Sequence, residues 1–353
     1  MSCALSVEKV LAGQRITPAE ALELDRGLSL PELGALADAV RQRLHPDRVV
    51  TYIVDRNINY TNICNVYCTF CAFMRETKDA DAYVLTKEQV GEKIRELVAI
   101  GGVQVLLQGG HHPKLGIEYY LDLLRYIRET FPQVNVHGFS PPEFCHFAAV
   151  FQMPVAEVIR QFKEAGLGSI PGGGAEILVE SVRKRIAPKK CTGQQWLDVM
   201  ETAHRLGLRS SATMMFGHVE TIADRIEHLR MLRELQDRTG GFTAFICWTF
   251  QPENTRLKAA TVGAHEYLRT QALARIFLDN FDNVQASWVT QGPQIGQVAL
   301  KFGANDFGSV MMEENVVSSA GATFRMDEAT MQRLIRELGY EPHRRNNWYE
   351  LLN

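Results

Sequence analysis

From residue 49 onward, short β-branched and apolar runs alternate with longer stretches in which apolar residues recur every three to four positions. The short runs fall at 51–58, 103–108, 134–139, 168–170, 209–216, 243–249 and 284–289, with a weaker one at 305–307. The helical-period stretches fall at 87–100, 118–130, 155–165, 177–185, 193–206, 222–239, 265–281 and 291–302, and 327–338 closes the series. Such alternation implies parallel strands joined by helical crossovers. About eight units imply an α/β fold of the (β/α)8, TIM-barrel type. Ahead of the barrel, residues 4–45 read as helical. Thr17-Pro18-Ala19-Glu20 places an N-cap before a proline at the first helical position. Leu33, Leu36, Ala37, Val40 and Leu44 form a helical stripe. The expected division is a helical extension over 1–48, a barrel over 49–325, and a C-terminal helix and tail over 326–353.

Composition narrows the class. The 353 residues suit a barrel of about 250 residues with extensions. A net charge of −3 without a basic block gives no footing for nucleic acid or a membrane surface. No apolar run reaches the roughly 18 residues of a membrane span. MSCALSVEKVLAGQ lacks the basic start and apolar core of a signal peptide. Seven scattered cysteines, an odd number, make no disulfide framework. They fit a reducing cytoplasm, where thiolates stay free for metal. Cys3, Cys145, Cys191 and Cys247 are expected to remain unligated.

The other three cysteines carry the chemistry. Cys64, Cys68 and Cys71 lie in INYTNICNVYCTFCAF, spaced C-x3-C-x2-C just after the first strand. Thiolates are soft ligands, suited to an iron–sulfur cluster or zinc. A structural zinc site normally takes four protein ligands, and no further Cys or His lies between 57 and 110. Three thiolates on a four-iron cluster leave one iron open. Other unusual residues also sit at predicted strand ends: Gln108-Gly109-Gly110-His111-His112, Gly138 to Glu143, Pro171 to Glu176, Phe216-Gly217-His218-Val219-Glu220, Trp248 to Pro252, Trp288 to Gln291 and Asn305-Asp306-Phe307-Gly308. In a barrel these ends line one mouth. The glycine-rich loop before Glu176 matches neither phosphate-binding pattern.

The cysteine spacing, with Phe70 before the third Cys, resembles the signature of the radical S-adenosylmethionine (SAM) enzymes. That resemblance implies a [4Fe–4S] cluster on Cys64, Cys68 and Cys71, with SAM on the open iron. It implies that Gly109 and Gly110 offer backbone to the SAM amino group, although His111 stands where many members carry Glu. By position Glu176 resembles the residue that holds the SAM ribose. The cation for the SAM carboxylate would come from Arg183 or Lys190, within a basic run that otherwise reads as a solvated face.

Longer phrases narrow the likeness. Asp55 to Asn62, His137 to Glu143, Ser169 to Ile177, Met215 to Thr221, Phe302 to Ser309 and Met312 to Val317 resemble the futalosine-pathway cyclases of menaquinone synthesis. Aminofutalosine synthases and the tyrosine-using deazaflavin synthase subunits share part of these phrases, and Asn59-Tyr60 favours the cyclases. The resemblance implies abstraction of the ribose C4′ hydrogen of dehypoxanthine futalosine and ring closure onto its benzoate. It also implies an electron donor such as flavodoxin or ferredoxin. His218 and Asp306 are candidate bases. Asn59, Asn62, His112, Gln251 and Asn305 suit a hydroxyl-rich substrate, and Tyr60 and Trp288 either meet an aromatic ring or fill the core. The competing class is a structural metal-binding protein, in which the three cysteines serve stability alone.

Overall fold

The computed structural model describes residues 3–352; residues 1, 2 and 353, the outer ends of the expected extension and tail, lie outside the described residues. Three helices come first, α1 (Cys3–Leu11), α2 (Pro18–Gly27) and α3 (Leu30–Leu44). The barrel then runs β1 (Val49–Ile53), β2 (Asp55–Asn59), α4 (Lys87–Ala99), β3 (Gln104–Gln108), α5 (Ile117–Thr130), β4 (Asn135–Gly138), α6 (Pro141–Phe151), α7 (Val155–Ala165) and β5 (Ser169–Ile170). Its second half is α8 (Glu180–Ile186), α9 (Gly193–Arg205), β6 (Arg209–Phe216), α10 (Ile222–Thr239), β7 (Phe242–Thr249), α11 (Ala264–Phe277), β8 (Asn283–Gln285), α12 (Pro293–Ala299) and β9 (Asp306–Ser309). A short 3-10 turn, α13 (Glu328–Glu337) and β10 (Glu341–Arg344) follow.

All strand pairings are parallel. β1 and β2 are two halves of one strand that changes partner at Val54. The first half pairs with β9 through Thr51↔Asp306 and Ile53↔Ser309, and the second pairs with β3 from Asp55↔Gln104 to Asn59↔Gln108. That switch closes eight strands into a ring. β10 fills the other edge of β1, with Val49↔Glu341 through Tyr52↔Arg344 in register.

Side chains alternate across the barrel wall. Along β2, Arg56 points outward to α4, where its guanidinium meets Glu96 at 2.5 Å, while Asp55, Asn57 and Asn59 point into the lumen. A chain of hydrogen bonds crosses the lumen floor. Gln104 donates to Asp55 at 3.2 Å, Asn135 donates to Gln104 and to Ser169 at 3.0 Å each, and the His137 ring meets Ser169 at 2.8 Å. Outside the wall, beneath α5, α6 and α7, Tyr60, Tyr120, Phe139, Phe147 and Phe162 pack at ring separations such as 5.1 Å for Phe139 to Phe162. The extension is tied on by Arg233, which donates to Ile16 O at 3.0 Å, and by Arg41, which lies 4.2 Å over the Tyr340 ring. Thr17 and Glu20 form the reciprocal cap that the sequence suggested.

Beyond shifts at element ends, four departures from the sequence reading have a clear physical cause or consequence. α6 begins inside a stretch read as loop; Ser140 and Glu143 form a capping box around Pro141 and Pro142. α8 starts at Glu180 instead of 177, because the Leu178 amide is held by His228 at 3.1 Å. β8 stops at Gln285 where the apolar run continues to 289. β10, sequence EPHR, has no apolar alternation to announce it. Among the described residues no helix is long and apolar enough to cross a membrane.

Candidate active site

The cysteine loop leaves the C-terminal end of β2 and is pinned from two sides. Thr69 donates its amide and its hydroxyl to Ile186 O at 2.8 and 2.9 Å. Arg256 and Leu257 donate their amides to Thr69 O at 2.9 Å each, and the Arg256 guanidinium reaches Tyr67 O at 2.6 Å. Cys68 is buried and Cys64 and Cys71 are partly buried. Burial pushes the Cys68 thiol up to about 12, and neighbouring Glu176, Cys71 and Cys64 add to the rise against the pull of Lys190. Burial raises the Cys71 thiol likewise. Cysteine sulfurs gathered in a dry loop need positive charge between them to be thiolates, which a cluster iron would supply. The donor set, three thiolates and so one short of a closed structural zinc site, fits an iron–sulfur cluster. A cleft of about 240 Å3 lined by Ile63, Cys64, Tyr67, Glu76 and Pro113 opens beside the loop.

Gly109 and Gly110 extend β3 flush against this loop. A Cβ on Gly110 would lie 2.2 Å from Ile63 O and 2.9 Å from Cys64 Cβ. One on Gly109 would lie 2.5 Å from the Tyr60 ring. The two glycines are therefore required by close approach. Tyr60 stands behind them. It is buried among Tyr119, Tyr120 and Phe139, and its hydroxyl donates to Glu143 Oε1 at 2.7 Å. The same oxygen accepts from the Gly109 amide at 3.1 Å, while Glu143 Oε2 accepts from the Ser140 amide and hydroxyl at 2.7 Å each. Tyr60 faces the outer core.

Across the mouth, Lys190 pairs with Glu176 at 2.6 Å and sits 5.2 Å over the Phe70 ring. Burial opposes the Lys190 charge, but Glu176 and Cys68 outweigh it and hold the ammonium protonated above its ordinary range. Glu176 adopts a left-handed φ of 42°, a conformation that costs a side-chain-bearing residue energy and that clusters at functional sites. Arg183 is buried and donates to Ala175 O at 2.6 Å and Cys191 O at 2.7 Å, which fixes the glycine-rich loop. The structure thus brings Cys64, Cys68, Cys71, Phe70, Gly109, Gly110, Glu176 and Lys190 together, and occupies Arg183 with backbone.

The remaining candidates divide. Asn59 faces the lumen and accepts from Asn315 at 3.3 Å. Gln251 caps its own turn through Thr249 and Phe250. His218 is enclosed, with Nε2 against Met215 O at 3.1 Å and Nδ1 against Glu220 at 3.0 Å. Asn62 is spent on Asp81 O and the Tyr83 amide, and His112 on the Lys114 and Leu115 amides. Trp288 is buried and donates to Ser309 O at 2.9 Å. Asn305 and Asp306 lie at the start of β9, far from the mouth. Asn305 accepts from Arg275 at 2.6 Å. Asp306 is fully buried, accepts from Thr51 at 2.6 Å and is forked by Arg345 at 2.5 and 2.9 Å. Sequence reasoning placed Glu143 in a strand-end motif without giving it a role, although a Ser-x-x-Glu capping pattern marks it, and gave no role to Glu314, Asn315 and Asn57, which no periodicity marks.

Residues 58–232 match the radical SAM superfamily, and 239–353 match the CofH/MqnC C-terminal region. The chain is 48% identical to the cyclic dehypoxanthine futalosine synthase of Streptomyces coelicolor, over 98% of this chain and 88% of that one. It is 44% identical to the enzyme of that name from Halalkalibacterium halodurans, over 98% and 94%. The crystal structure of methylornithine synthase superposes with a TM-score of 0.73 at 18% identity, over 96% of this chain and 97% of that one, a likeness of fold.

Proposed function

The chain belongs to the radical SAM superfamily, in the branch of the cyclic dehypoxanthine futalosine synthases, and from that membership we propose that it converts dehypoxanthine futalosine to its cyclic form on the futalosine route to menaquinone. The observation that carries this reading is the three-cysteine loop lying flush against Gly109 and Gly110 at the mouth of a closed barrel. When bound, a [4Fe–4S] cluster and SAM would supply a 5′-deoxyadenosyl radical able to take the ribose C4′ hydrogen as 5′-deoxyadenosine; the C4′ radical adds to the benzoate ring, and loss of one proton and one electron restores the ring's aromaticity. Cys64, Cys68 and Cys71 hold the cluster. Gly109 and Gly110 give SAM a flat backbone surface, with Tyr60 and Glu143 fixing its height. Lys190 and Glu176 present a cation and an acceptor to the zwitterionic and ribose parts of SAM. The lumen below is closed by the Asp55–Gln104–Asn135–Ser169 chain, which keeps bulk water from a reactive carbon centre. Positioning of C4′ is the protein's main contribution. The electron comes from a donor such as flavodoxin or ferredoxin, in a reducing compartment.

Anaerobically reconstituted protein with reductant, SAM and dehypoxanthine futalosine is expected to release 5′-deoxyadenosine, methionine and the cyclised product. Cys64→Ala, Cys68→Ala and Cys71→Ala are each expected to lose iron, sulfide and turnover. SAM cleavage driven by tyrosine with diaminouracil, and not by the nucleoside, would reassign the chain to the deazaflavin branch. SAM carbon incorporated in the product would reassign it to aminofutalosine synthesis.

A further inference from the structure

Beyond β9 the chain does not turn away but climbs alongside the first strand. Val310 donates to Ile53 O at 3.1 Å and Met312 to Asp55 O at 3.5 Å. Asn315 then donates to Asn59 Oδ1 at 3.3 Å. Glu314 arrives at the level of Asn57, which faces the lumen from β2, and the two side chains are in contact. Glu314 is 5% exposed. Its Oε1 accepts from the Val316 and Val317 amides at 2.9 and 2.8 Å. Its Oε2 is buried and has no partner, and Asn57 Oδ1 beside it is equally unpartnered. A buried acceptor left unpaired is costly. The Asn57 side chain approaches closely enough to oppose the rise of the Glu314 carboxyl, yet neither Glu314 Oε2 nor Asn57 Oδ1 has a hydrogen-bond partner, so the two oxygens together are complementary to a ligand that brings two donors. Burial raises the Glu314 carboxyl, in keeping with a site completed only when something enters.

We propose that Glu314 Oε2 and Asn57 Oδ1 receive the vicinal hydroxyls of the substrate ribose. This rests on the cyclase reading and extends it to the substrate's seat. A carboxylate there repels the benzoate end, so the pair also fixes which end of the substrate lies against β2. SAM, held across the mouth at Glu176, is not involved.

Glu314→Gln is the discriminating variant. Its amide oxygen still accepts from Val316 and Val317, but its other atom becomes a donor. The melting temperature of the reconstituted protein and its KM for SAM are expected to stay unchanged. The KM for dehypoxanthine futalosine, and its Kd measured calorimetrically on the reconstituted protein without SAM, are expected to rise about 10- to 100-fold, the factor carried by a hydrogen bond to a charged acceptor. Substrate analogues lacking the 2′- or the 3′-hydroxyl are expected to bind wild-type protein that much more weakly, and one of them is expected to bind Glu314→Gln no worse than the full substrate does. An unchanged Kd, or deoxy penalties of equal size in both proteins, overturns the assignment. Wild-type protein that neither binds nor converts the nucleoside overturns the cyclase reading, and the assignment with it.

Discussion

Glu143 offers the sharpest test of how the cofactor surface is built. One carboxylate serves two pairs of donors: Tyr60 and Gly109 on Oε1, Ser140 twice on Oε2. Glu143→Gln keeps the shape and leaves one acceptor oxygen, so one pair must be abandoned. Losing a hydrogen bond to a charged group costs about 1.5–3 kcal/mol, and stranding a buried donor costs about 1–3 kcal/mol. The sum is about 2.5–6 kcal/mol. With an unfolding entropy of about 2.1 cal/mol/K per residue, a chain of 353 residues has about 0.7 kcal/mol/K, so the melting temperature should fall by about 3–8 °C. Tyr60→Phe removes a single donor to that carboxylate and should cost about 1.5–3 kcal/mol, or about 2–4 °C. The two changes share an oxygen, so the double variant should be less destabilised than their sum by more than about 0.5 kcal/mol. Circular dichroism melts of the four proteins, with KM for SAM alongside, complete the cycle. Additive effects, or a Glu143→Gln protein that melts with the wild type, would refute the idea that Glu143 ties Tyr60 to Gly109.

Other consequences follow from buried groups elsewhere. His137 and His228 are both held at about 3, by burial first and then by nearby Arg345 and Arg183 respectively. Because their folded values lie below the unfolded 6.5, their contribution is full above that pH and is lost on acidification toward 3; at pH 5 each should cost about 2 kcal/mol, seen as an earlier urea midpoint. Asp306→Asn strands the buried Arg345 charge and should cost about 3–5 kcal/mol, read from the same denaturation, with Asp306→Asn/Arg345→Met recovering part. Gly110→Ala must displace the cysteine loop at Ile63 O, so iron content after anaerobic reconstitution should drop below one-half of wild type, about, while Gly116→Ala, which meets nothing within 4 Å, should leave it intact.

The barrel was legible because its long elements carry unambiguous periods. The sequence reading of 222–239 coincides with α10, and 209–216 with β6. What escaped was structure specified by hydrogen bonds between distant residues. β10 is a strand because Glu341 to Arg344 find the free edge of β1, and because Arg345 reaches Asp306. Nothing within EPHR reports that edge. α6 did carry a local signal, the Ser140 to Glu143 box, but its two prolines read more readily as a turn after β4. The three cysteines were legible because ligand spacing within one loop is a local property.

Placing polar residues in the mouth was harder, and β9 shows why. In a (β/α)8 barrel the same strand delivers its first residues to the floor and its last to the mouth. Three rises of about 3.3 Å across a four-residue strand separate the two by roughly 10 Å. A polar cluster at 305–308 reads as a strand end, yet the strand runs Asp306–Ser309, so Asn305 and Asp306 enter at the floor. There the chemistry of Asp306 is fixed by Arg345 and Thr51. The residues that reach mouth level come later, after the chain has climbed beside β2, and among them Glu314 keeps an oxygen unpaired. A paired buried carboxylate stabilises the fold, whereas an unpaired one costs stability until a donor arrives. Assigning a role to Asp306 or to Glu314 therefore turns on which lone pairs are already spent, and that depends on contacts across some 250 residues of chain, such as the one between Thr51 and Asp306.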